Sequence, residues 1–275
     1  MSRTESLQIV HLASLARSGE TLMQRTLSAH PRVHVVFDLY EPNTAAQIRL
    51  SQLLRVWPET KVPRAQIDRL LPGEVAPSAD VLLVKQGIFA TRHPTVGFGL
   101  LRNPYASFCS LWHYDARIAG RPADAAANLH HWRHMRQQRL LVWAEAMVPQ
   151  LVPALQGERD PVRQFLMFWR ARVDQIVSQQ STLVHYEDFV HDPEVALRRI
   201  CAGTGLDFDP ALLEAHRLYR RGQVGHGGID LGAPIRPAAD WTPDPQVPIA
   251  PFVEAVRRSP LRRYDDLYER ELATC

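Results

Sequence analysis

The chain has 275 residues, 45% of them hydrophobic, which is enough to bury one large core, and no break in composition divides it into two units. Its 32 Lys and Arg against 29 Asp and Glu leave a net charge of +3, too small for a nucleic-acid binder but compatible with a local basic pocket for a small anion. No stretch approaches the roughly 20 apolar residues of a membrane helix, the start lacks the apolar core of a signal peptide, and Cys109, Cys201 and Cys275 have neither disulfide-framework nor metal-ligand spacing; the expectation is a single cytoplasmic domain with reduced thiols.

The apolar run from Leu7 to Leu15 is followed by Ala16-Arg17-Ser18-Gly19-Glu20 and then by Thr21 to Leu27, a pattern that predicts strand, tight loop and helix. Val33 to Phe37 predicts a short strand that ends at Asp38-Leu39-Tyr40-Glu41-Pro42, so two acidic side chains stand at a strand's end. Residues Ile48 to Leu71 carry apolar positions at helical spacing, and Val81 to Val84 predict a strand with Lys85 at its tip. Gly97 to Leu101 predict another strand leading into Arg102-Asn103-Pro104, with a helix from Tyr105 to Tyr114.

From Ala123 to Leu155 the pattern is helical, and the stripe Phe165, Phe168, Trp169, Val173, Ile176, Val177 marks a further amphipathic helix. Thr182 to Tyr186 predict a strand, followed by helices begun at Asp192-Pro193 and Asp209-Pro210, each with an acidic residue before Pro. After Gly222 comes a glycine- and proline-rich covering loop at about 229–251, and a helical pattern resumes from Phe252 to Leu272. Alternating strands and helices imply an α/β fold with a mainly parallel central sheet flanked by helices on both faces.

Arg17-Ser18-Gly19-Glu20-Thr21 sits between strand and helix, where free backbone N–H groups and the positive end of the helix dipole favour an anion. It is no Walker A loop, lacking the second Gly followed by Lys and Ser or Thr. Arg102 at a strand end and Ser110 in the following helix are spaced so that both could reach one phosphate; taken alone, the pair reads equally as an Arg capping a carboxylate and a Ser packed in a helix. Lys85 emerges at a strand tip, where open parallel sheets bind ligands. His130, His131 and His134 lie with Trp132 on a predicted helix; without an adjacent carboxylate or Cys pattern they read as a polar face or pocket wall rather than a zinc site.

Arg17-Ser18-Gly19 after a strand, Leu101-Arg102-Asn103-Pro104 with Ser110, Tyr186-Glu187-Asp188-Phe189 after a later strand and Arg220-Arg221-Gly222 with Gly225 together resemble the sulfotransferases that use 3′-phosphoadenosine 5′-phosphosulfate (PAPS). The resemblance covers roughly residues 7–228 and is closer to bacterial-type, carbohydrate and tyrosylprotein branches than to the cytosolic aryl branch. It implies a three-layer P-loop-like fold and a loop from Arg17 through Ser18, Gly19, Glu20 and Thr21 to Leu22 that holds the 5′-phosphosulfate. It also implies Arg102, Ser110, Arg220, Arg221 and Gly222 around the 3′-phosphate, Tyr186 near the nucleotide, and 3′,5′-adenosine bisphosphate (PAP) as product.

The same resemblance implies Arg17 and Lys85 as cations near the leaving oxygen and Glu41 as the base, with Asp38 competing for that role. No metal is expected. Two departures stand out: Glu20 occupies a position usually Thr or Ser, and Leu22 one where many cytosolic members carry a Trp. The resemblance further implies an acceptor that is a hydroxyl or amine of a small molecule, carbohydrate or peptide, which the sequence does not identify; neither nucleic acid nor membrane is expected as partner, and a homodimer is compatible with the sequence. Two other readings share the strand–loop–helix element: a P-loop nucleotide kinase or NTPase, and a non-catalytic PAPS- or PAP-binding module on the same fold.

Overall fold

A computed structural model of the chain describes residues 5–36, 49–50, 53–54, 57, 59–86, 96–122, 124–225, 228–237 and 243–261. Strand β1 (Ser6–Ser14) leads to α1 (Glu20–Leu27) and β2 (Val33–Val36); β3 (Lys61–Pro63), α2 (Arg64–Leu70), β4 (Val81–Gln86) and β5 (Gly97–Leu101) follow. Then come α3 (Pro104–Trp112), α4 (Tyr114–Ile118), α5 (Ala125–Met135), α6 (Leu141–Met147), α7 (Val152–Gly157) and α8 (Pro161–Gln179). The last elements are β6 (Thr182–His185), α9 (Tyr186–His191), α10 (Pro193–Thr204), a 3-10 helix (Pro210–Leu218) and α11 (Ala250–Arg257).

The sheet runs β2-β4-β1-β5-β6 with every one of these neighbours parallel, and β3 joins β1 antiparallel. A central parallel strand is buried on both faces, which is why β1 is buried at every position from Ile9 to Ser14 rather than at alternate ones. On one face Val10 and Leu12 pack with Leu22 and Met23 of α1 and with Leu197 and Ile200 of α10. On the other, Ala13 and Leu15 share a core with α3, α5, α8 and α11. Phe108 anchors that core, with ring centroids 5.3 Å from Trp132, 5.3 Å from Phe165 and 5.6 Å from Phe252. The mainly parallel sheet with helices on both faces is therefore the architecture of this chain.

Helix starts follow their capping chemistry. Asn103 caps α3 by accepting from Tyr105 N–H at 2.9 Å, Asp160 caps α8 from Arg163 N–H at 2.8 Å, and Asp192 and Asp209 cap the segments begun by Pro193 and Pro210. Three details differ from the pattern in the sequence. The stretch from Ile48 to Leu71 is not one helix: Val62, fully buried, pairs with Leu7 in β3, and Pro63 ends that edge strand before α2 begins. The helical stretch after Asp124 is broken by a π-helical turn at Arg136–Leu140 and by the 3-10 turn begun at Pro149. The segment after Asp209 winds as a 3-10 helix.

The covering segment is tied down at both ends. Arg25 Nη1, on α1, donates to Leu231 O at 3.0 Å and Ala233 O at 2.7 Å. The Tyr105 hydroxyl donates to Val247 O at 2.9 Å and accepts from Asp244 N–H at 2.8 Å. Asp244 also pairs with His113 Nε2 at 2.5 Å, while His113 Nδ1 accepts from Asn128. Among the described residues no helix is long and apolar enough to cross a membrane.

His11, in the middle of β1, is 5% exposed, and among the described residues its Nδ1 has no hydrogen-bond partner. Burial pushes its pKa from 6.5 down to about 4. The unfolded chain therefore takes up a proton that the folded chain refuses, so His11 contributes stability above pH 6.5 that is lost as the pH falls towards 4. The full loss is on the order of 3 kcal/mol. Urea denaturation from pH 7.5 to 4 should show wild-type stability falling more steeply than that of His11→Leu; identical slopes would show that this imidazole does not resist protonation.

Candidate functional site

The carboxyl ends of β4, β1, β5 and β6 lie side by side, because Leu12 pairs with Lys85, Ser14 with Leu100 and Leu101 with His185. The residues that follow each strand therefore share one edge of the sheet: the Arg17 loop after β1, Arg102 after β5 and Tyr186 after β6. Lys85 lies one position inside the end of β4, on the sheet face of Val81 and Leu83, which pack against α1.

The Arg17 loop is held in an unusual backbone path. Arg17 has φ 70° and Gly19 φ 94°, both left-handed, a region that a non-glycine residue such as Arg17 seldom occupies. Gly19 is required twice over, since an added Cβ would overlap the Tyr186 ring at Cδ2 and Cε2. Gly19 is also the N-cap residue of α1, and no side chain caps that helix, so the first-turn N–H groups are left without intrahelical partners. Ser18 is 1% exposed and Glu20 7%, and Leu22 is buried against Met23 and the sheet.

Arg102 braces the loop from the next strand. Its Nη1 donates to Arg17 O at 2.7 Å, and its guanidinium lies over the Tyr186 ring, 4.5 Å from the centroid. Glu187 Oε1 accepts from the N–H of Asn103 at 2.9 Å, which fixes the turn carrying Arg102. The Arg17 side chain in turn reaches α3: its Nε donates to Ser110 Oγ at 3.1 Å, and its guanidinium stands over Tyr114, 5.1 Å from the ring centroid.

A third arginine completes the cluster. Arg117 Nη1 donates to the same Ser110 Oγ at 3.2 Å, and its Nη2 reaches Ser110 O at 3.4 Å. Among the described residues, none of Arg17, Arg102 and Arg117 forms an ion pair with a carboxylate. The pKa of Arg17 is pushed down by burial, then by the charge of Arg117 and to a smaller extent by Arg102, while Glu20 and Tyr114 pull it up. Arg117 is pushed down by desolvation and by Arg102. Two guanidinium groups thus meet at one hydroxyl with the charge of Arg102 close by, an arrangement that an anion relieves.

Of the residues singled out in the sequence, Arg17, Ser18, Gly19, Glu20, Arg102, Ser110 and Tyr186 are brought together here. Arg220, Arg221 and Gly222 are exposed on a segment seated at the far end of α1, where Tyr219 bonds Ser28 at 3.1 Å and Gly222 N–H donates to Asp230 Oδ1 at 3.0 Å. Among the described residues no hydrogen bond links that segment to Arg17, Arg102 or Ser110. Asp38 and Glu41 lie outside the described residues. Sequence reasoning passed over Arg117 and Tyr114, although Ser110, Tyr114 and Arg117 stand at i, i+4 and i+7, the spacing of one helix face. His131 lies one ring further out: it stacks on Tyr114 with centroids 5.7 Å apart, and its Nδ1 lies 2.7 Å from Asp115 Oδ2. Among the described residues no group of three or more His, Cys, Asp or Glu could hold a metal ion.

No protein-family model matches the chain, and no curated protein matches it significantly. Solved structures of similar fold include the sulfotransferase domain of the Synechococcus PCC 7002 olefin synthase, at 16% identity and a TM-score of 0.38 over 78% of this chain and 79% of that one. A sulfotransferase from Alicyclobacillus acidocaldarius aligns at 17% identity and a TM-score of 0.42 over 76% of this chain and 88% of that one. The mouse sulfotransferase SULT7A1 complexed with PAP aligns at 13% identity and a TM-score of 0.49 over 95% of this chain and 89% of that one.

Since Gly19 combines a left-handed φ with the Tyr186 contact, Gly19→Ala should cost roughly 1–3 kcal/mol in urea denaturation. The double variant with Tyr186→Ala should lose less than the sum of the two single changes, because the second substitution removes the clash. Strict additivity would show that the Tyr186 ring does not set the space at Gly19.

Proposed function

We propose that this chain is a sulfotransferase that moves the sulfuryl group of PAPS to a hydroxyl or amine of a small-molecule, carbohydrate or peptide acceptor. The observation that carries the proposal is the set of guanidinium groups around Ser110, unbalanced by ion-paired carboxylates among the described residues, at the head of a helix whose first-turn N–H groups are uncapped. Those features suit a nucleotide with two separate anionic groups, and the motifs that supply them occur in the order found in PAPS-dependent enzymes.

In this reading the loop from Arg17 to Leu22 holds the 5′-phosphosulfate through backbone N–H groups and the Arg17 guanidinium. Arg102 and the Ser110 hydroxyl hold the 3′-phosphate; the Arg220-Arg221-Gly222 segment, which the resemblance assigns to the same phosphate, stands at the far end of α1 and would have to move to reach it. Tyr186 keeps Arg102 in place by stacking beneath it. PAPS, when bound, supplies an activated sulfuryl group on a phosphate leaving group. Such transfers proceed through loose transition states in which positioning and cations on the departing oxygen do most of the catalysis. Arg17, with Lys85 as the second cation, holds charge at that oxygen, and Glu41, or Asp38 in its place, takes the acceptor's proton. Glu20, beside Arg17, reduces the positive charge of the loop without forming an ion pair with it.

Calorimetric titration with PAP, without added metal, should show binding by the wild type and a loss of tenfold or more in Arg102→Ala, as expected when a charge-assisted bond to phosphate is removed. Turnover of PAPS with a panel of hydroxyl and amine acceptors then distinguishes an enzyme from a binding module. A folded wild type that does not bind PAP would rule out the sulfotransferase reading.

A further inference from the structure

We propose that Arg117 is a further cation of the 3′-phosphate site, beside Arg102, and that it makes the protein selective for nucleotides carrying a 3′-phosphate over those phosphorylated only at the 5′ position. The inference rests on the reading above and assigns a residue outside every motif on which that reading was built.

The geometry around Ser110 carries the argument. A serine hydroxyl has two acceptor lone pairs and one proton. Arg17 Nε at 3.1 Å and Arg117 Nη1 at 3.2 Å both donate to Ser110 Oγ, which uses both lone pairs. The hydroxyl proton therefore points to neither arginine, and among the described residues it has no acceptor. Ser110 is thus poised to donate, and the group it faces has to be an acceptor that also tolerates two adjoining guanidinium ions. A phosphate dianion meets both conditions, whereas a carbonyl or an ether oxygen meets only the first.

Repulsion supports the same assignment. Two guanidinium nitrogens bonded to one oxygen are at most about 6 Å apart, close enough for their like charges to repel. Neither arginine gains a carboxylate in return among the described residues; the charges of Arg117 and Arg102 lower the proton affinity of Arg17, and that of Arg102 lowers the proton affinity of Arg117. Arg117 is exposed on α4 yet turns its guanidinium back towards α3, consistent with the N-terminal lean of helical side chains. The exposed Arg220 and Arg221 have no hydrogen bond to Ser110 or Arg102 among the described residues, so Arg117 is the cation already standing at the serine.

The test is calorimetric titration of the full chain with PAP and, separately, with adenosine 5′-monophosphate, for the wild type, Arg117→Ala and Arg117→Lys. Arg117→Ala should bind PAP about tenfold or more weakly and leave the affinity for the 5′-monophosphate within about twofold; Arg117→Lys should restore part of the loss by charge alone. The PAP affinity of Arg117→Ala should also depend less steeply on salt. If the wild type binds PAP and Arg117→Ala binds it equally well, the assignment of Arg117 is wrong while the sulfotransferase reading stands. Equal weakening towards both nucleotides would place Arg117 at the 5′ group and overturn the selectivity. A folded wild type that ignores PAP would overturn the sulfotransferase reading and this inference with it. Arg117 is exposed, and thermal melting of each variant checks that its fold is kept.

Discussion

Like charges repel, and three of them gathered in one cluster, two on a single serine hydroxyl, need a reason to stay together. Arg17, Arg102 and Arg117 come from a loop, a strand end and a short helix, with no carboxylate ion-paired to any of them among the described residues. Such an arrangement opposes folding until an anion relieves it, so the rest of the structure has to hold it in place. The parallel order β4-β1-β5-β6 does so by setting the relevant strand ends at one edge. Tyr186 does so locally, with its ring against Gly19 and beneath Arg102. Glu187 does so by holding the backbone N–H of Asn103.

The two cores divide this work. The face carrying α1 and α10 is built mostly from aliphatic side chains, with Phe98 and Phe189 among them, and fixes the loop through Leu22 and Met23. The opposite face is aromatic and seats α3, whose Phe108 lies among Trp132, Phe165 and Phe252, so that Ser110 projects from a rigid helix. The covering segment then closes over both sides, clasped by Arg25 from α1 and by Tyr105 and His113 from the Ser110 side. A site made of cations is in this way supported by packing and by neutral hydrogen bonds more than by opposite charge.

The sheet was legible in the sequence because buried parallel strands are mainly apolar runs, and Val81–Val84, Gly97–Leu101 and, with three polar interruptions, Leu7–Leu15 are such runs bounded by polar residues. The Arg17 loop and the Arg102–Ser110 pair were legible because their residue types are chemically suited to phosphate. Strand β3 was not: it has three residues, only Val62 is buried, and flanking helical spacing absorbed it into a longer pattern. Arg117 escaped because a lone exposed arginine on a helix normally faces water. Only the way its side chain folds back to Ser110 gives it a role, and pattern alone does not encode that direction. Tyr186 carried a visible motif, yet its contact with Gly19, some 170 residues away by sequence numbering, arises only when β1 and β6 take their places on either side of β5.

The most direct test of the account is a crystal structure of the chain with PAP. The account predicts the 3′-phosphate within hydrogen-bond distance of Arg102, the Ser110 hydroxyl and Arg117, and the 5′-phosphate against the backbone N–H groups that follow Gly19. A nucleotide bound elsewhere, with Arg17 and Arg117 still bonded to Ser110 and no anion beside them or Arg102, would contradict it.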